Sequence, residues 1–253
     1  MPYLVFDQFQ IGSLTIYTWG LMVGLAFTAG YFLTLRLAKK KNIAPEKIIW
    51  LTLVIFVGAI FGSRLTFLLQ TPHQLLADPG LIWAPNSGAM FLGGLLGAIF
   101  FSWLYIKRVK LNFWEIADLL VLPLALGIGI GRIGCLLIND HLGTSTSLPW
   151  GILWPDGILR HPVAAYESLA GFAFFVLFLW LKNKTKRLGD LFLFFLSSYS
   201  VVRFLLDFTR QPQGYLADIH FWQLSTSQWL TILIFISTLF LWLVKKSKQK
   251  TRQ

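Results

Sequence analysis

The stretch from Leu126 to Glu167 reads LGIGIGRIGCLLINDHLGTSTSLPWGILWPDGILRHPVAAYE. It begins as an apolar, glycine-rich segment, places Arg132 where the chain is still apolar, and ends in a polar loop before Tyr166 and Glu167. A charged side chain at the centre of a membrane helix costs about 2.5–3.5 kcal/mol or more, and such residues usually face a bundle interior. The stretch therefore predicts a membrane helix with a functional arginine, followed by a small polar head at about residues 139–162.

The rest of the chain supports a membrane protein. Of its 253 residues, 56% are hydrophobic, and apolar runs of about 18 residues or more are typical of membrane helices. Seven such runs are visible, at about Ile11–Leu35, Ile48–Leu69, Ala89–Tyr105, Ile116–Ile138, Ala164–Leu181, Leu191–Phe208 and Gln228–Val244. We expect an all-α integral membrane protein that forms a single transmembrane domain over residues 1–253, with the head inserted between helices 4 and 5.

The basic residues predict the topology. Although the net charge is +11, 17 of the 22 lysines and arginines lie in four short segments, each after an odd-numbered helix. These segments begin at Arg36, Lys107, Lys182 and Lys245. Cytoplasmic loops are enriched in Lys and Arg, so the N-terminus should lie outside and the C-terminus in the cytoplasm. This distribution argues against a nucleic-acid partner.

The five remaining basic residues are all arginines: Arg64, Arg132, Arg160, Arg203 and Arg210. The planar guanidinium suits bidentate recognition of a phosphate or carboxylate. These arginines would either bind an anionic ligand or merely pair with acidic side chains. Arg64 is also close enough to a helix end for its side chain to extend toward the lipid headgroups.

A polar stripe marks the sixth helix. At 100° per residue, Tyr199, Arg203, Asp207 and Arg210 fall within a face about 80° wide, and a polar face on an apolar helix should point into the bundle. A structural salt bridge between Arg203 and Asp207 is an alternative that leaves the other two unexplained. Glu167, close to an apolar helix, should pair with an arginine.

Small residues predict where helices approach closely. Gly93 and Gly97 have the GxxxG spacing, and Gly127 and Gly131 are also four residues apart. The single cysteine, Cys135, excludes an internal disulfide. Because the four histidines are scattered, we expect neither a metal site nor a cofactor. No basic segment precedes the first helix, so we expect no cleaved signal peptide.

The motifs in order resemble those of the bacterial prolipoprotein diacylglyceryl transferases. The resemblance runs from about Trp19 to Gln228. It is carried by Gly131-Arg132-Ile133-Gly134, Asp140 and Gly143, Leu148-Pro149-Trp150-Gly151, Arg160-His161-Pro162, Tyr166-Glu167, and the sixth-helix spacing Tyr199, Arg203, Asp207 and Arg210.

The resemblance implies an enzyme of the bacterial plasma (inner) membrane that moves the diacylglyceryl group of phosphatidylglycerol onto the lipobox cysteine of a prolipoprotein. The product would be a thioether, with release of glycerol phosphate. The partners would be phosphatidylglycerol, prolipoprotein signal peptides and membrane lipid. The residues would divide into catalytic (Arg132, Arg203, Tyr199, Asp207), lipid-binding (Arg132, Arg203, Gly134, Gly143, Arg210) and supporting (Asp140, Glu167, His161, Arg64).

The chain departs from the family pattern at several positions. Leu92 stands where the third-helix motif of the family carries a histidine, Cys135 replaces a frequent asparagine, and Asp207 replaces a glutamate. The family's first-helix Trp-Tyr-Gly is Thr18-Trp19-Gly20 here. Without that histidine, solvent, a lipid phosphate, Tyr199, Asp207 or His161 would have to deprotonate the acceptor thiol. The alternative is a non-catalytic lipid-binding paralogue or an anion transporter.

Overall fold

The computed structural model describes residues 2–73, 78, 80, 90–212 and 220–250. Seven helices of at least 18 residues lie in these ranges: α1 (Thr18–Lys40), α2 (Pro45–Gln70), α3 (Phe91–Arg108), α4 (Phe113–Ile138), α5 (Val163–Leu181), α6 (Asp190–Asp207) and α7 (Thr226–Lys250). Six short strands form three antiparallel hairpins: β1 (Gln8–Ile11) with β2 (Leu14–Tyr17), β3 (Ile152–Leu153) with β4 (Leu159–Arg160), and β5 (His220–Phe221) with β6 (Leu224–Ser225).

Five helices (α1, α2, α4, α5 and α7) are long and apolar enough to cross a membrane. The other two, α3 and α6, have 18 residues each, and α6 includes the charged residues Asp190, Arg203 and Asp207. The chain is therefore mostly helical, as predicted. The three short hairpins lie outside the apolar helices. The outer loop expected at Thr71–Asn86 and the start of the third helix at Ala89 lie largely outside the described residues.

The first helix starts later than predicted, at Thr18 rather than Ile11. Residues 8–17 pair as a hairpin in which Ile11 faces Leu14, so that Gly12 and Ser13 form a two-residue turn. Gly12 has φ +62°, a conformation that glycine adopts without steric cost and that two-residue hairpin turns require at their first position. An apolar run alone does not reveal such a turn, which explains the error.

The described residues fall into two compact units, one within 34–116 and the other within 1–33 and 117–253. In the first unit, α2 and α3 cross at four glycines, with Gly58 and Gly62 on α2 against Gly93 and Gly97 on α3. A Cβ atom on Gly62 would lie 2.8 Å from Cα of Gly97 and would collide with the carbonyl oxygen of Gly93. The packing predicted for Gly93 and Gly97 is confirmed.

We expect Gly62→Ala to destabilise the α2–α3 pair by about 1–3 kcal/mol, because a methyl group forced into a close-packed contact shifts backbone that cannot yield cheaply. A lower thermal midpoint in detergent would be the measured effect. Gly24→Ala in α1 is the matched control, since a Cβ atom there meets nothing within 4 Å. Equal midpoints for the two variants would contradict the packing.

In the second unit, α4 and α5 cross where Gly171 lies against Gly129. A Cβ atom on Gly171 would lie 2.8 Å from Cα of Gly129. The prediction that Gly127 and Gly131 form the close contact is wrong, because no described atom lies within 4 Å of a Cβ atom on either. Gly127 and Gly131 have the same four-residue spacing as Gly93 and Gly97. Which glycine forms the contact depends on the face of α4 against which α5 packs.

Helix α6 is anchored at its N-terminus by α4. The carboxylate of Asp118 accepts hydrogen bonds from the backbone N–H groups of Gly189 (2.6 Å) and Phe192 (2.9 Å). A carboxylate at this end satisfies unpaired N–H groups and interacts favourably with the helix dipole. Since α4 carries Arg132 and α6 carries Arg203, this contact fixes the two helices that hold the predicted site.

Candidate functional site

The centre of the site is Glu167, whose side chain is only 4% exposed. It stands on the first turns of α5, and its two carboxylate oxygens face different helices. Oε2 lies 2.9 Å from Nε of Arg132 on α4, and Oε1 lies 3.1 Å from Nη1 of Arg203 on α6. The expected pairing of Glu167 with an arginine is confirmed, and it involves two arginines. Three helices therefore bring their buried charges to one point.

Asp207 extends this cluster along α6. Its Oδ1 lies 2.8 Å from Nη1 of Arg203, which donates to it, and 3.8 Å from Nη1 of Arg210. The Oγ of Ser225 donates to Oδ2 of Asp207. The salt bridge between Arg203 and Asp207 thus exists, but it belongs to a larger network that includes Glu167.

Arg210 lies beyond the helix on which the stripe was predicted. Helix α6 ends at Asp207, and Arg210 forms an extended backbone bridge with Gly143 in the head. The helical geometry predicted for Arg210 is therefore wrong, because backbone pairing with the head replaces the last turn. Its side chain nevertheless remains beside Asp207, one of the residues with which it was grouped.

The head is joined to the end of α6 by backbone hydrogen bonds. Thr144 N donates to Thr209 O (2.9 Å), and Gln211 N donates to Leu142 O (2.9 Å). Gly143 lies between them, and a Cβ atom there would be 3.0 Å from the backbone nitrogen of His161 and would overlap its carbonyl oxygen. Glycine is required at this position because two backbone segments approach it.

Arg160 stabilises the head from inside. Although it follows a loop, it is buried, and it donates to the carbonyl oxygen of Gly143 (3.2 Å) and to Oδ2 of Asp156 (2.6 Å). The hydrogen bond from Arg160 holds the pKa of Asp156 below its ordinary value. Both of these hydrogen bonds from Arg160 therefore stay within the head.

A second chain of contacts leads from Arg132 to the rim of the head. Nη1 of Arg132 lies 2.7 Å from Nε2 of His141, and Nδ1 of His141 lies 2.7 Å from Oδ1 of Asp140. Asp140 was predicted as a supporting residue; the structure places it beside His141, and its supporting role stays a prediction. His141 was not predicted as a site residue, because a histidine in a polar loop gives no signal of its own.

A cleft with an empty volume of about 280 Å³ opens beside the cluster. It is lined by Arg132, Glu167, Tyr199 and Arg203, and otherwise by apolar or small residues (Ile128, Ala170, Gly171, Phe174, Val202 and Leu206). A polar end beside apolar walls is an arrangement that suits an amphiphile, with its charged group at the arginines and its hydrocarbon along the helices. Tyr199, predicted as catalytic, packs on the rings of Phe174 and Phe195 and lines this cleft.

Comparison with known proteins agrees with these features. A family model described as prolipoprotein diacylglyceryl transferase matches residues 7–244. The chain belongs to the prolipoprotein diacylglyceryl transferase family. The family expected from the motifs is thus confirmed, and, together with the apolar helices, it makes this chain a multi-pass membrane protein.

Several relatives named phosphatidylglycerol–prolipoprotein diacylglyceryl transferase are similar over most of their length. The protein of Bordetella bronchiseptica is 32% identical over 232 residues, covering 88% of each chain. That of Chromohalobacter salexigens is 32% identical over 229 residues, covering 88% of this chain and 85% of the relative. That of Campylobacter lari is 32% identical over 255 residues, covering 94% and 93%.

Not every residue predicted from the family motifs faces the cleft. A Cβ atom on Gly134 would lie 2.9 Å from Cβ of Met22, so this glycine allows α1 to pack closely on α4. His161 lies in the head, where Nδ1 is 3.1 Å from the hydroxyl of Tyr166, to which Nε1 of Trp150 donates (2.9 Å). Arg64 belongs to the other compact unit, where its guanidinium lies over the ring of Phe67. Lipid binding by Gly134 and a supporting role for Arg64 stay predictions.

The structure also adds residues to the family motifs. Ser225 donates to Asp207, and Gln228 holds Ser225 by accepting from its backbone N–H (2.9 Å) and donating its own N–H to Oγ (3.0 Å). These residues begin α7, in an Ser-x-x-Gln pattern typical of a capping box. That pattern signals a helix start, but nothing in it indicates a contact with the acid of α6.

Three possible metal-ligand atoms, on Cys135, Asp140 and His141, lie within 4.8 Å of one another. This group was not predicted, because the expectation of no metal site rested on the scattered positions of the four histidines. However, Nη1 of Arg132 already donates to Nε2 of His141 and lies 3.9 Å from Sγ of Cys135. A metal cation would be repelled by this guanidinium, so the group is better described as two acceptors of hydrogen bonds from Arg132, with Asp140 close to one of them. The absence of a metal stays a prediction.

Proposed function

We propose that this chain transfers the diacylglyceryl group of phosphatidylglycerol to the cysteine thiol of a prolipoprotein in the bacterial plasma membrane. A thioether would form and glycerol phosphate would leave. Family membership supports this function. The observation that carries it is the single buried carboxylate of Glu167, which holds Arg132 and Arg203 against one cleft with apolar walls.

The arginines suit an anionic headgroup. Three of them, Arg132, Arg203 and Arg210, surround the two buried carboxylates Glu167 and Asp207. These five side chains together have one positive charge more than they have negative charges. Asp140, which is about as exposed as Arg132, lies beside His141. A phosphodiester has a single negative charge, and charge-assisted bonds to guanidinium are among the strongest in proteins.

The same arginines would lower the barrier to transfer. As the acceptor sulfur attacks the glyceryl carbon, the C–O bond to phosphate breaks and the leaving glycerol phosphate gains a negative charge. Donors that are fixed before the reaction stabilise such a charge without reorganisation. Glu167 and Asp207 would fix Arg132 and Arg203, because each arginine contacts a carboxylate that is itself buried.

The transfer assay tests this function directly. The chain, reconstituted in vesicles of phosphatidylglycerol labelled in its acyl chains, should attach label to a peptide with a lipobox cysteine and not to the same peptide with serine. A chain that binds phosphatidylglycerol but transfers no label at any pH would be the lipid-binding paralogue. This outcome is the one suggested by Leu92, where the family motif has histidine. Flux of phosphate across the vesicle membrane would instead indicate a transporter.

We further propose seven membrane spans with the N-terminus outside, so that the head faces the outer leaflet. In a background in which Cys135 is replaced by alanine, a membrane-impermeant maleimide should label Ser145→Cys but not Asn183→Cys in intact cells. Both positions are exposed in the structure. After permeabilisation, both should react, which controls for access. The reverse pattern in intact cells would place the head in the cytoplasm and remove the outer-leaflet mechanism.

A further inference from the structure

The protonation state of His141 follows from its partners. Arginine has only N–H donors on its guanidinium, so Nε2 of His141, at 2.7 Å from Nη1 of Arg132, must be the acceptor. The proton of the neutral ring is then on Nδ1, which lies 2.7 Å from the carboxylate of Asp140. His141 thus has its lone pair directed at Arg132, while its Nδ1 lies close to an acid without forming a hydrogen bond to it.

We propose that His141 is the general base that takes the proton from the acceptor thiol. This inference rests on the transferase function proposed above. The hydrogen bond from Arg132 selects the tautomer of the ring, and the nearby carboxylate of Asp140 would stabilise the imidazolium that forms. The histidine missing at position 92 would thereby be replaced by another from the head.

Lipid binding would release the base. Nη1 of Arg132 donates to the lone pair of His141. A phosphate attracts a guanidinium more strongly than a neutral imidazole does, since both partners are then charged. Nη1 would move to the phosphate while Nε stays with Glu167, 2.9 Å away. The lone pair is then free for the thiol only when the diacylglyceryl donor is in place, which prevents early ionisation of the acceptor.

We place the acceptor at a second pocket, which lies beside His141. It has an empty volume of about 220 Å³ and lies between the end of α4, the head and the start of α5. Its lining includes Cys135, Asn139, His141, Trp154 and His161. His141 therefore lies between this cavity and the arginine that lines the lipid cleft, which is where a base must lie to join the two substrates.

The other candidates are less suited to the role. Both oxygens of Asp207 are engaged, by Arg203 and by Ser225. His161 shares the acceptor cavity, but its Nδ1 faces the Tyr166 hydroxyl, which already accepts from Trp150 and has its proton free to donate. That arrangement leaves the ring proton of His161 on Nε2. The titratable or charged groups that face His141 are Asp140, Arg132, Cys135 and, across the cavity, His161.

The proposed reaction is a proton transfer followed by a nucleophilic substitution at the glyceryl carbon. Nε2 of His141 takes the thiol proton, and the thiolate sulfur forms a bond to the glyceryl carbon. The C–O bond breaks, and its electron pair leaves with the phosphate oxygen of glycerol phosphate beside Arg132 and Arg203. The imidazolium then gives its proton to the departing phosphate or to water, which restores the neutral ring.

The test compares His141→Gln with wild type from pH 6 to 9.5. Glutamine retains an oxygen that can accept from Arg132, so the fold and lipid binding should persist. Transfer at pH 7 should fall roughly 10²-fold or more, as is typical for loss of a general base. The wild-type rate should level off below about pH 8.5, whereas that of the variant should climb through the range where a free thiol ionises. His73→Gln, exposed and in the other compact unit, is the matched control and should behave as wild type.

A second substrate separates loss of the base from loss of structure. A lipobox peptide with selenocysteine is already ionised at pH 7 and needs no base, so His141→Gln should transfer to it at nearly the wild-type rate. An unchanged pH profile in His141→Gln, or an equal loss with both peptides, would overturn the role of His141. Absence of transfer in wild type with either peptide would instead refute the proposed function.

Discussion

Transfer by Arg132→Lys should fall by about 10²–10³-fold, the loss measured when one donor to a developing anion is removed. The structure gives a further reason for a large effect. Arg132 uses Nε for Glu167 and Nη1 for His141, and these two nitrogens point to different elements. A lysine has one ammonium group on a flexible stem, so it cannot keep both contacts and also hold a phosphate.

Arg203→Lys provides an informative comparison. One nitrogen, Nη1 of Arg203, contacts both Glu167 (3.1 Å) and Asp207 (2.8 Å). An ammonium group can take that position, so the ion pairs should survive while the remaining guanidinium donors are lost. We expect normal thermal stability, weaker binding of phosphatidylglycerol and a loss of transfer as large as in Arg132→Lys. Near-normal turnover in both variants would leave the arginines with only a structural role.

The largest effect on stability should come from Glu167→Gln. Removing the charge leaves Arg132 without its acidic partner and leaves Arg203 with Asp207 alone. Breaking a buried ion pair in this way costs about 3–5 kcal/mol. We expect a strongly lowered thermal midpoint in detergent and no detectable transfer. Added phosphatidylglycerol should recover part of the midpoint, because the anionic headgroup replaces the missing charge and a ligand stabilises the state that it binds.

Glu115→Gln is the matched control for this substitution. Glu115 also forms an ion pair, with Lys41 at 3.7 Å, but its side chain is 32% exposed. Pairs accessible to solvent contribute at most about 1 kcal/mol, so the control should unfold close to the wild-type temperature. Equal midpoints for Glu167→Gln and Glu115→Gln would show that the buried carboxylate does not hold the arginines together.

Much of the site could be predicted because burying charge is costly. Arg132, Glu167, Arg203 and Asp207 are charged residues in apolar surroundings, and this anomaly is visible without a structure. The cost of leaving such groups unpaired predicts that they find one another. Their order also carries the resemblance to the family, which the family match confirms. Which arginine pairs with which acid was harder to predict, since a salt bridge within α6 satisfies the same rule as one between helices.

The sequence by itself determined the helical membrane class, the family and the principal charged residues, because apolar length and isolated charges are local properties. Only the tertiary structure decided that Glu167 is shared by two arginines. It also decided that Gly129, rather than Gly127 or Gly131, meets α5. The contact of His141 with Arg132 depends on how the head folds back over α4. These pairings depend on the relative rotation of helices and on the path of the head, which long-range packing sets and no local pattern encodes.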